Sequence, residues 1–368
     1  MDNTELDSTQ FTILGLTGSG KTCYLLGMYK KMAAGMKGFS LTTDSDTDVN
    51  LRRRYRRMED QSLGINRFPA GTDQPDSYSF TLSHAMESIM SFDWIDYPGG
   101  ALDEQTSGNL EAFNKLESHI QNSSSLFICV DGELINGDDC DEIAENIKDK
   151  CSGIINNFLK RYKDKNKFLP PTAIVVTKCD MCQELEDDEW EEILREAFSP
   201  ILAEGNDKCN RFVCCIPVSL GSEISSNGYK GILKPRNLEL PIYMGIYFST
   251  MCKAICLRKK MEFYKKQLNS LRNETQKEEN SFFIWRDNEK IAKNKEMEDI
   301  YRKLEKEITE NFVSVLADNS RLSEVLNKKV EMIFFNGKRQ ETFENTADDF
   351  IEKTPEFLNK WQSKNEKS

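Results

Sequence analysis

The feature that most limits what this chain can fold into is the loop at residues 15–22, which reads G-L-T-G-S-G-K-T. It follows an apolar stretch at residues 11–14 and precedes a helix-like stretch at residues 23–29. A strand, a glycine loop and a helix N-terminus form an anion site, because backbone N–H groups approach the phosphate oxygens and the helix dipole favours negative charge. In this pattern Lys21 reaches the β- and γ-phosphates and the Thr22 hydroxyl binds Mg²⁺. The sequence therefore predicts a phosphate-binding loop.

A second motif follows the apolar run at residues 89–95. Residues 96–99 read D-Y-P-G, a D-x-x-G pattern whose aspartate falls at the end of the expected strand. At that position Asp96 can hold Mg²⁺ through water, and the Gly99 N–H can meet a γ-phosphate. The two motifs together predict a site for a nucleoside triphosphate.

A third motif indicates the base. Residues 172–176 read as a buried β-branched strand that ends in Thr177-Lys178-Cys179-Asp180, which matches [NT]-K-x-D. The Asp180 carboxylate can accept from both N1–H and N2–H of guanine, whereas adenine offers no such donor pair. The aliphatic stem of Lys178 can lie over the ring. We therefore expect guanine, and an ATPase motor or a kinase is disfavoured.

These segments resemble the translation-factor-related class of P-loop GTPases, which includes the Ras-like and septin/dynamin-like proteins. The resemblance covers roughly residues 10–250, and the strings T-C-Y-L after the loop and D-Y-P-G-G are similar to bacterial double-GTPase families of conflict systems. It implies GTP or GDP with Mg²⁺ as ligands, and a short loop at Ser219 and Leu220 that touches guanine O6 through backbone N–H. The expected nucleotide-binding residues are Gly15, Thr17, Gly18, Ser19, Gly20, Lys21, Thr22, Cys23, Thr177, Lys178, Asp180, Ser219 and Leu220.

Such a GTPase also needs a threonine that meets Mg²⁺ and the γ-phosphate. We assign this role to Thr72, which lies just before the alternating stretch at residues 77–82 that is typical of an edge strand. Thr42 and Thr43 are the competitors, and a turn threonine without a ligand is the alternative to all three. The predicted metal ligands are therefore Thr22, Thr72 and Asp96.

The predicted catalytic group comprises Lys21, Thr72, Gly99 and Glu104. Gly100 stands where Ras-like proteins carry the glutamine that orients the attacking water, so we expect slow unaided hydrolysis. Asp103 and Gln105 are alternatives to Glu104. The chain is thus expected to be a slow, Mg²⁺-dependent GTPase acting as a switch or assembly GTPase; the alternative is a GTP-binding scaffold with little turnover.

An arginine cluster occupies residues 52–57, which read R-R-R-Y-R-R. Its apolar neighbours recur at near-helical spacing, so a solvated helix face is the simplest interpretation. The cluster could instead supply an arginine to the phosphoryl-transfer site in cis, or anchor an anionic partner.

Charge and cysteine content narrow the class of protein. The formal net charge is −12: residues 251–368 carry 24 Lys+Arg and 22 Asp+Glu, or +2, and residues 1–250 carry 25 and 39, or −14. This balance argues against general nucleic-acid binding.

The 11 cysteines have no spacing typical of a disulfide framework, and no apolar run nears the ~20 residues of a membrane span. A reducing, cytoplasmic location is expected. Zinc at Cys179 and Cys182, with Cys214 and Cys215, is disfavoured.

The order of elements predicts an α/β fold, namely a P-loop NTPase three-layer sandwich with a mostly parallel six-stranded sheet, followed by a C-terminal α-helical region. Strands are expected near residues 11–15, 77–82, 89–96, 126–131, 172–177 and 211–218, and helices near 21–36, 107–121, 140–163, 186–203 and 240–266. Residues 1–250 form the G domain. Residues 251–368 form a helical domain or arm, which either packs on the G domain or binds a protein partner or a second copy of the chain.

Overall fold

The computed structural model describes residues 8–71, 76–96, 110–166, 168–205, 209–222, 224, 228–280 and 287–365. Its contacts divide the chain into two compact units, Met1–Phe248 with Leu322–Ser368, and Ser249–Arg321. Residues 322–368 thus group with the N-terminal part of the chain, and the domain boundary at residue 250 stays a prediction.

Nine strands and eleven α-helices occur in the described part of the chain. The strands are β1 (Ser8–Leu14), β2 (Phe39–Thr42), β3 (Asp76–His84), β4 (Glu87–Asp96), β5 (Ser125–Asp131), β6 (Thr172–Thr177), β7 (Phe212–Pro217), β8 (Met332–Phe335) and β9 (Lys338–Gln340). The helices are α1 (Lys21–Ala33), α2 (Ser45–Glu59), α3 (Leu110–Asn122), α4 (Cys140–Ile147), α5 (Gly153–Asn166), α6 (Asp187–Ala197), α7 (Ser199–Leu202), α8 (Leu240–Glu279), α9 (Asn288–Lys329), α10 (Phe343–Lys353) and α11 (Pro355–Asn365).

The strands form one mixed sheet in the order β2-β3-β4-β1-β5-β6-β7-β8-β9. The five central strands from β4 to β7 are parallel, and on each side two further strands extend the sheet through antiparallel pairings. Every residue of β6 is buried, as is nearly all of β5, so both faces of the sheet centre are covered. An α/β fold with the phosphate loop after the central strand β1 is therefore present.

The prediction of a six-stranded sheet was wrong in number. Strand β3 is antiparallel as expected, but it is not an edge strand, because β2 pairs with its outer side. Strands β8 and β9 extend the opposite edge through a hairpin whose turn residues, Asn336 and Gly337, both have positive φ. Asn-Gly between two short apolar or alternating runs is a strong hairpin signal. The three missed strands have only three or four residues each, too short for a periodic pattern.

The buried carboxylate of Glu239 joins the end of α9 to α1, the helix that follows the phosphate loop. Glu239 is 2% exposed, and it accepts hydrogen bonds from Lys31 of α1 at 2.6 Å and from Lys329 at the end of α9 at 3.0 Å. Burial raises the Glu239 pKa, but its hydrogen bonds with Lys31 and Lys329 outweigh this and hold the pKa below its ordinary value. This pairing satisfies a charge that would otherwise be costly inside the protein.

The second unit consists of parts of two long helices. Within it α8 and α9 run antiparallel: Thr250 near its start bonds to Asn319 near its end at 2.7 Å, and Tyr264 lies against Tyr301 with ring centroids 5.7 Å apart. Helix α8 continues to Glu279, well beyond the predicted end near residue 266.

Helix α8 is also, within the part of the chain that the structure describes, the one helix long and apolar enough to cross a membrane by length and composition. Of its most apolar window, 72% is buried inside the protein. A helix in a protein core gives the same pattern, so this finding does not indicate a membrane span.

Candidate functional site

The phosphate loop leaves β1 at Leu14 and enters α1 at Lys21. Its glycines are required by geometry. Gly15 has φ +153°, and a Cβ there would lie 2.8 Å from the Cys129 carbonyl oxygen. Gly20, the residue before the helix, has φ +79° and would place a Cβ 3.3 Å from that of Thr177. Because L-residues rarely adopt these conformations, the loop depends on glycine at both positions.

Lys21 points back into this loop. Its ammonium donates to the carbonyl oxygens of Gly15 at 2.6 Å and Leu16 at 3.0 Å, and the residue is 6% exposed. Burial lowers the Lys21 pKa, and the nearby Asp96 carboxylate partly opposes that effect. A positive charge held inside a glycine loop at a helix N-terminus is an arrangement suited to a phosphate group.

Thr22 and Asp96 stand side by side next to Lys21. The Thr22 hydroxyl donates to Asp96 Oδ2 at 3.2 Å, while Asp96 Oδ1 is buried and has no hydrogen-bond partner among the described residues. Burial raises the Asp96 pKa to about 6, although Lys21 and Thr22 both act to lower it. A hydroxyl beside a carboxylate with an unsatisfied oxygen is the oxygen-donor set that Mg²⁺ prefers. The residues present therefore fit a magnesium ion.

The loop after β6 is tied to the phosphate loop and to the sheet. The Thr177 hydroxyl bonds to the Ser19 carbonyl at 2.8 Å, and the Cys179 amide donates to the Val218 carbonyl at 3.1 Å. The first bond joins segments that are 158 residues apart in sequence, because parallel strands place their carboxyl ends at one edge of the sheet.

Lys178 forms a charged cluster at this edge. Its ammonium donates to Asp131 Oδ2 at 2.7 Å and to Glu133 Oε1 at 3.0 Å. Burial acts to lower the Lys178 pKa, but the hydrogen bonds to the two carboxylates outweigh it and raise the pKa above its ordinary value. Lys178 therefore stays charged, with its ammonium held by two carboxylates at the end of β5.

One cavity of about 270 Å³ joins these parts. Most of the predicted nucleotide-binding residues line it, namely Thr17, Gly18, Gly20, Lys21, Thr22, Cys23, Thr177, Lys178, Asp180, Ser219 and Leu220. Gly15 and Ser19 are not among the lining residues and instead shape the loop, and Asp96 connects to the cavity through Thr22. The Ser219 amide donates to the Arg236 carbonyl at 3.3 Å.

The remaining predicted residues fall elsewhere. Thr72, Gly99 and Glu104, like Gly100, Asp103 and Gln105, lie outside the described residues, so their roles stay predictions. The competitor threonines contact β3: the Thr43 hydroxyl donates to the Ser79 carbonyl at 2.7 Å, and the Thr42 hydroxyl to the Thr81 carbonyl at 3.4 Å. In the described part of the chain no three His, Cys, Asp or Glu side chains form a group that could hold a metal ion.

Several cavity residues were missed by the sequence analysis. Glu133 follows β5, and the segment at residues 68–71 with Tyr229 closes another side, where the rings of Phe68 and Tyr229 meet edge to face at 6.3 Å. An acidic D-G-E string after a central strand was an available signal for Glu133, since ligands bind at the carboxyl ends of such strands. No local pattern marks the contact of residues 68–71 with residue 229, which are distant in sequence.

Comparison with known proteins agrees with this geometry. Residues 11–207 match the family described as Double-GTPase 2, which covers more than half of the chain. No curated protein matches the sequence significantly. Among solved structures, a crystal structure described as nucleolar GTP-binding protein 1 from Plasmodium falciparum aligns over 59% of this chain and 80% of that chain, with a TM-score of 0.28 and 11% identity, too remote to add support. The matched family model shows that this chain belongs to the Double-GTPase 2 family of P-loop GTPases.

Proposed function

We propose that this protein binds GTP with Mg²⁺ in the cavity and hydrolyses it slowly to GDP, acting as a conformational switch or assembly GTPase. The observation that carries the proposal is that one cavity is lined both by Lys21 and Thr22 and by Lys178 and Asp180. A phosphate-binding end and a base-selecting end thus face a common space, as a bound nucleoside triphosphate requires.

At the base end, Asp180 is the residue we assign to guanine recognition. Its carboxylate accepts the paired N1–H and N2–H donors, and the Lys178 stem, fixed by Asp131 and Glu133, covers the ring. Leu220 offers its backbone N–H toward guanine O6. Adenine lacks the donor pair, so ATP would leave the Asp180 carboxylate without a partner.

At the phosphate end, Lys21 supplies a fixed positive charge and Thr22 and Asp96 hold the metal, with Thr72 as the proposed additional ligand. Mg²⁺, when bound, neutralises charge on the β- and γ-phosphates. A bound cation would also offset the cost of burying the Asp96 oxygen that has no hydrogen-bond partner in the described part of the chain. Gly99 and Glu104 are proposed to face the γ-phosphate and the attacking water.

A GTP-binding scaffold with little turnover is the second candidate. Gly100 favours it, because no side chain follows Gly99 to orient the water.

In either case the helical unit at residues 249–321 is the proposed site for a protein partner or for self-association. Among its described residues, the large apolar side chains of Phe263, Ile300, Val313 and Leu316 are exposed. Cytoplasmic residence also remains part of the proposal.

Two measurements test the proposal. Calorimetry with Mg²⁺ should give heat of binding for GTP and GDP and much less for ATP; no heat with either guanine nucleotide would refute nucleotide binding altogether. Multiple-turnover phosphate release then separates the candidates. Slow release supports the GTPase, while bound GTP without any release selects the scaffold.

A further inference from the structure

The five arginines between residues 52 and 57 of α2 differ in the contacts that they make. Arg52 forms an ion pair with Asp48 at 2.6 Å, and Arg57 donates to the Asn66 carbonyl at 3.2 Å. Arg53 and Arg56 are exposed, as expected of a solvated helix face. Among the described residues, Arg52 and Arg57 therefore have partners close to them in sequence, and Arg53 and Arg56 are exposed to solvent.

Arg54 differs from its neighbours. It is half-buried, and its Nη1 donates to the Tyr78 hydroxyl of β3 at 3.0 Å. The Tyr78 hydroxyl in turn donates to Asp76 Oδ2 at 3.1 Å. Among the residues that the structure describes, no carboxylate forms an ion pair with Arg54, so its charge is held in place by a neutral hydroxyl.

This chain of contacts ends at the metal and phosphate side of the site. Asp76 lies opposite Asp96 in the antiparallel register of β3 and β4, and the Asp96 carboxylate accepts a hydrogen bond from Thr22 of the phosphate loop. Arg54 is thus the member of the cluster whose contacts lead to the phosphate end.

We propose that Arg54 is a catalytic arginine that this chain supplies to its own phosphoryl-transfer site. The inference rests on the proposed GTP hydrolysis. In that reaction the bond from the γ-phosphorus to the β–γ bridging oxygen breaks, the water oxygen bonds to phosphorus, the water releases a proton, and GDP and phosphate leave. Arg54 stays protonated and donates to the γ-phosphoryl oxygens, where negative charge is concentrated in the transition state.

Arg54 is suited to this role because no carboxylate of the described residues forms an ion pair with it. A guanidinium held by one tyrosine hydroxyl can exchange that bond for stronger, charge-assisted bonds to phosphate oxygens. The flat, forked guanidinium also pairs with two oxygens at once, which lysine cannot do.

The test compares single-turnover GTP hydrolysis in Arg54→Ala, Arg54→Lys and Arg53→Ala, together with GDP affinity. We expect Arg54→Ala to slow hydrolysis by roughly a thousandfold, the lower end of the effect of supplied arginines. GDP affinity should be unchanged, because GDP lacks the γ-phosphate. Arg53→Ala, the exposed neighbour, should hydrolyse GTP at the wild-type rate. Arg54→Lys, which keeps the charge and most of the stem, should stay close to Arg54→Ala.

A second readout separates catalysis from folding. Wild type with GDP and aluminium fluoride should form the transition-state complex, and Arg54→Ala should not, even though it still binds GDP. Wild-type rates in Arg54→Ala would overturn the inference, and so would a parallel loss of GDP affinity in Arg54→Ala and Arg54→Lys, which would indicate a structural role. If wild type binds GTP but never hydrolyses it, hydrolysis itself fails, and Arg54 then has no catalytic role.

Discussion

The phosphate end of the cavity is mostly backbone with one buried ammonium, Lys21, whereas the base end is built from charged side chains, Lys178, Asp180 and Glu133. At the phosphate end, Gly15 and Gly20 adopt conformations that a side chain would disturb. At the base end Lys178 is held by two ion pairs, each of which can be removed singly.

This difference separates affinity from selectivity. Backbone donors and a buried charge recognise any triphosphate, so changes at the phosphate end should weaken all nucleotides alike. Side-chain hydrogen bonds discriminate between bases, because a mismatched base leaves a polar group unpaired. Changes at the base end should therefore alter which nucleotide binds while leaving phosphate recognition intact.

The largest effect on binding is expected from Lys21→Met. Loss of the ammonium should lower the affinity for GTP and GDP by about 100-fold. A hydrogen bond to a charged group is worth roughly 1.5–3 kcal/mol, and Lys21 is expected to contact more than one phosphate. Titration calorimetry with Mg²⁺ measures it, and Lys30→Met on the same helix is the matched control. Equal GTP affinity in Lys21→Met and wild type would show that the phosphate loop does not hold the nucleotide.

Asp180→Asn should change selectivity. We expect the affinity for GTP to fall about 10- to 100-fold and the affinity for xanthosine triphosphate to rise. The Asn amide can donate to the xanthine carbonyl, whereas the Asp carboxylate accepts from the guanine N–H groups. Affinity for inorganic triphosphate should not change, and Glu184→Gln, an exposed neighbour, is the control. If ATP and GTP bind wild type equally, base selection by Asp180 is refuted.

Asp96→Asn should stabilise the nucleotide-free protein while weakening Mg²⁺-dependent GTP binding. Burial raises the folded-state pKa of Asp96 to about 6, so between about pH 4 and 6 the folded protein holds a proton that the unfolded chain has lost, and stability falls as the pH rises. Above about pH 6 the folded protein bears the full free-energy cost of burying the ionised Asp96 carboxylate. Removing the charge should raise the free energy of unfolding at about pH 7.5 by roughly 1–3 kcal/mol.

Urea unfolding of Asp96→Asn and wild type measures this effect. Asp93→Asn, on the same strand and bonded to the Ser79 hydroxyl at 2.6 Å, is the control and should not gain stability. A destabilised Asp96→Asn protein would mean that the Asp96 carboxylate is better satisfied without nucleotide than its unpartnered oxygen indicates.

Glu133→Gln should have the smallest effect. It removes one of the two ion pairs of Lys178 and leaves the shorter one, to Asp131, in place. Partly exposed pairs contribute little, so GTP affinity should fall only about two- to fivefold. Calorimetry against Glu145→Gln, an exposed acid on α4, tests this. A loss as large as that of Asp180→Asn would instead place Glu133 in direct contact with the base.

The parts of the fold that were predictable are those encoded locally. The strand, glycine loop and helix around Lys21 and the buried strand before Thr177 each carry their signal within about ten residues. The outer strands were not predictable in this way. Strand β8 pairs with β7 more than 100 residues earlier in the chain, and β2 has only four residues. Their existence depends on long-range pairing, which no local periodicity records.

The sequence by itself determined that a phosphate loop follows the first strand and that an aspartate able to read guanine follows a later one, because both depend on residue type and spacing along a short stretch. Tertiary structure alone decided that Glu133 lines the cavity and that Arg54, among five arginines in six residues, is the one that contacts Tyr78 of β3. Which side of a helix meets which strand is set by packing between distant segments, and identical neighbouring side chains cannot reveal it.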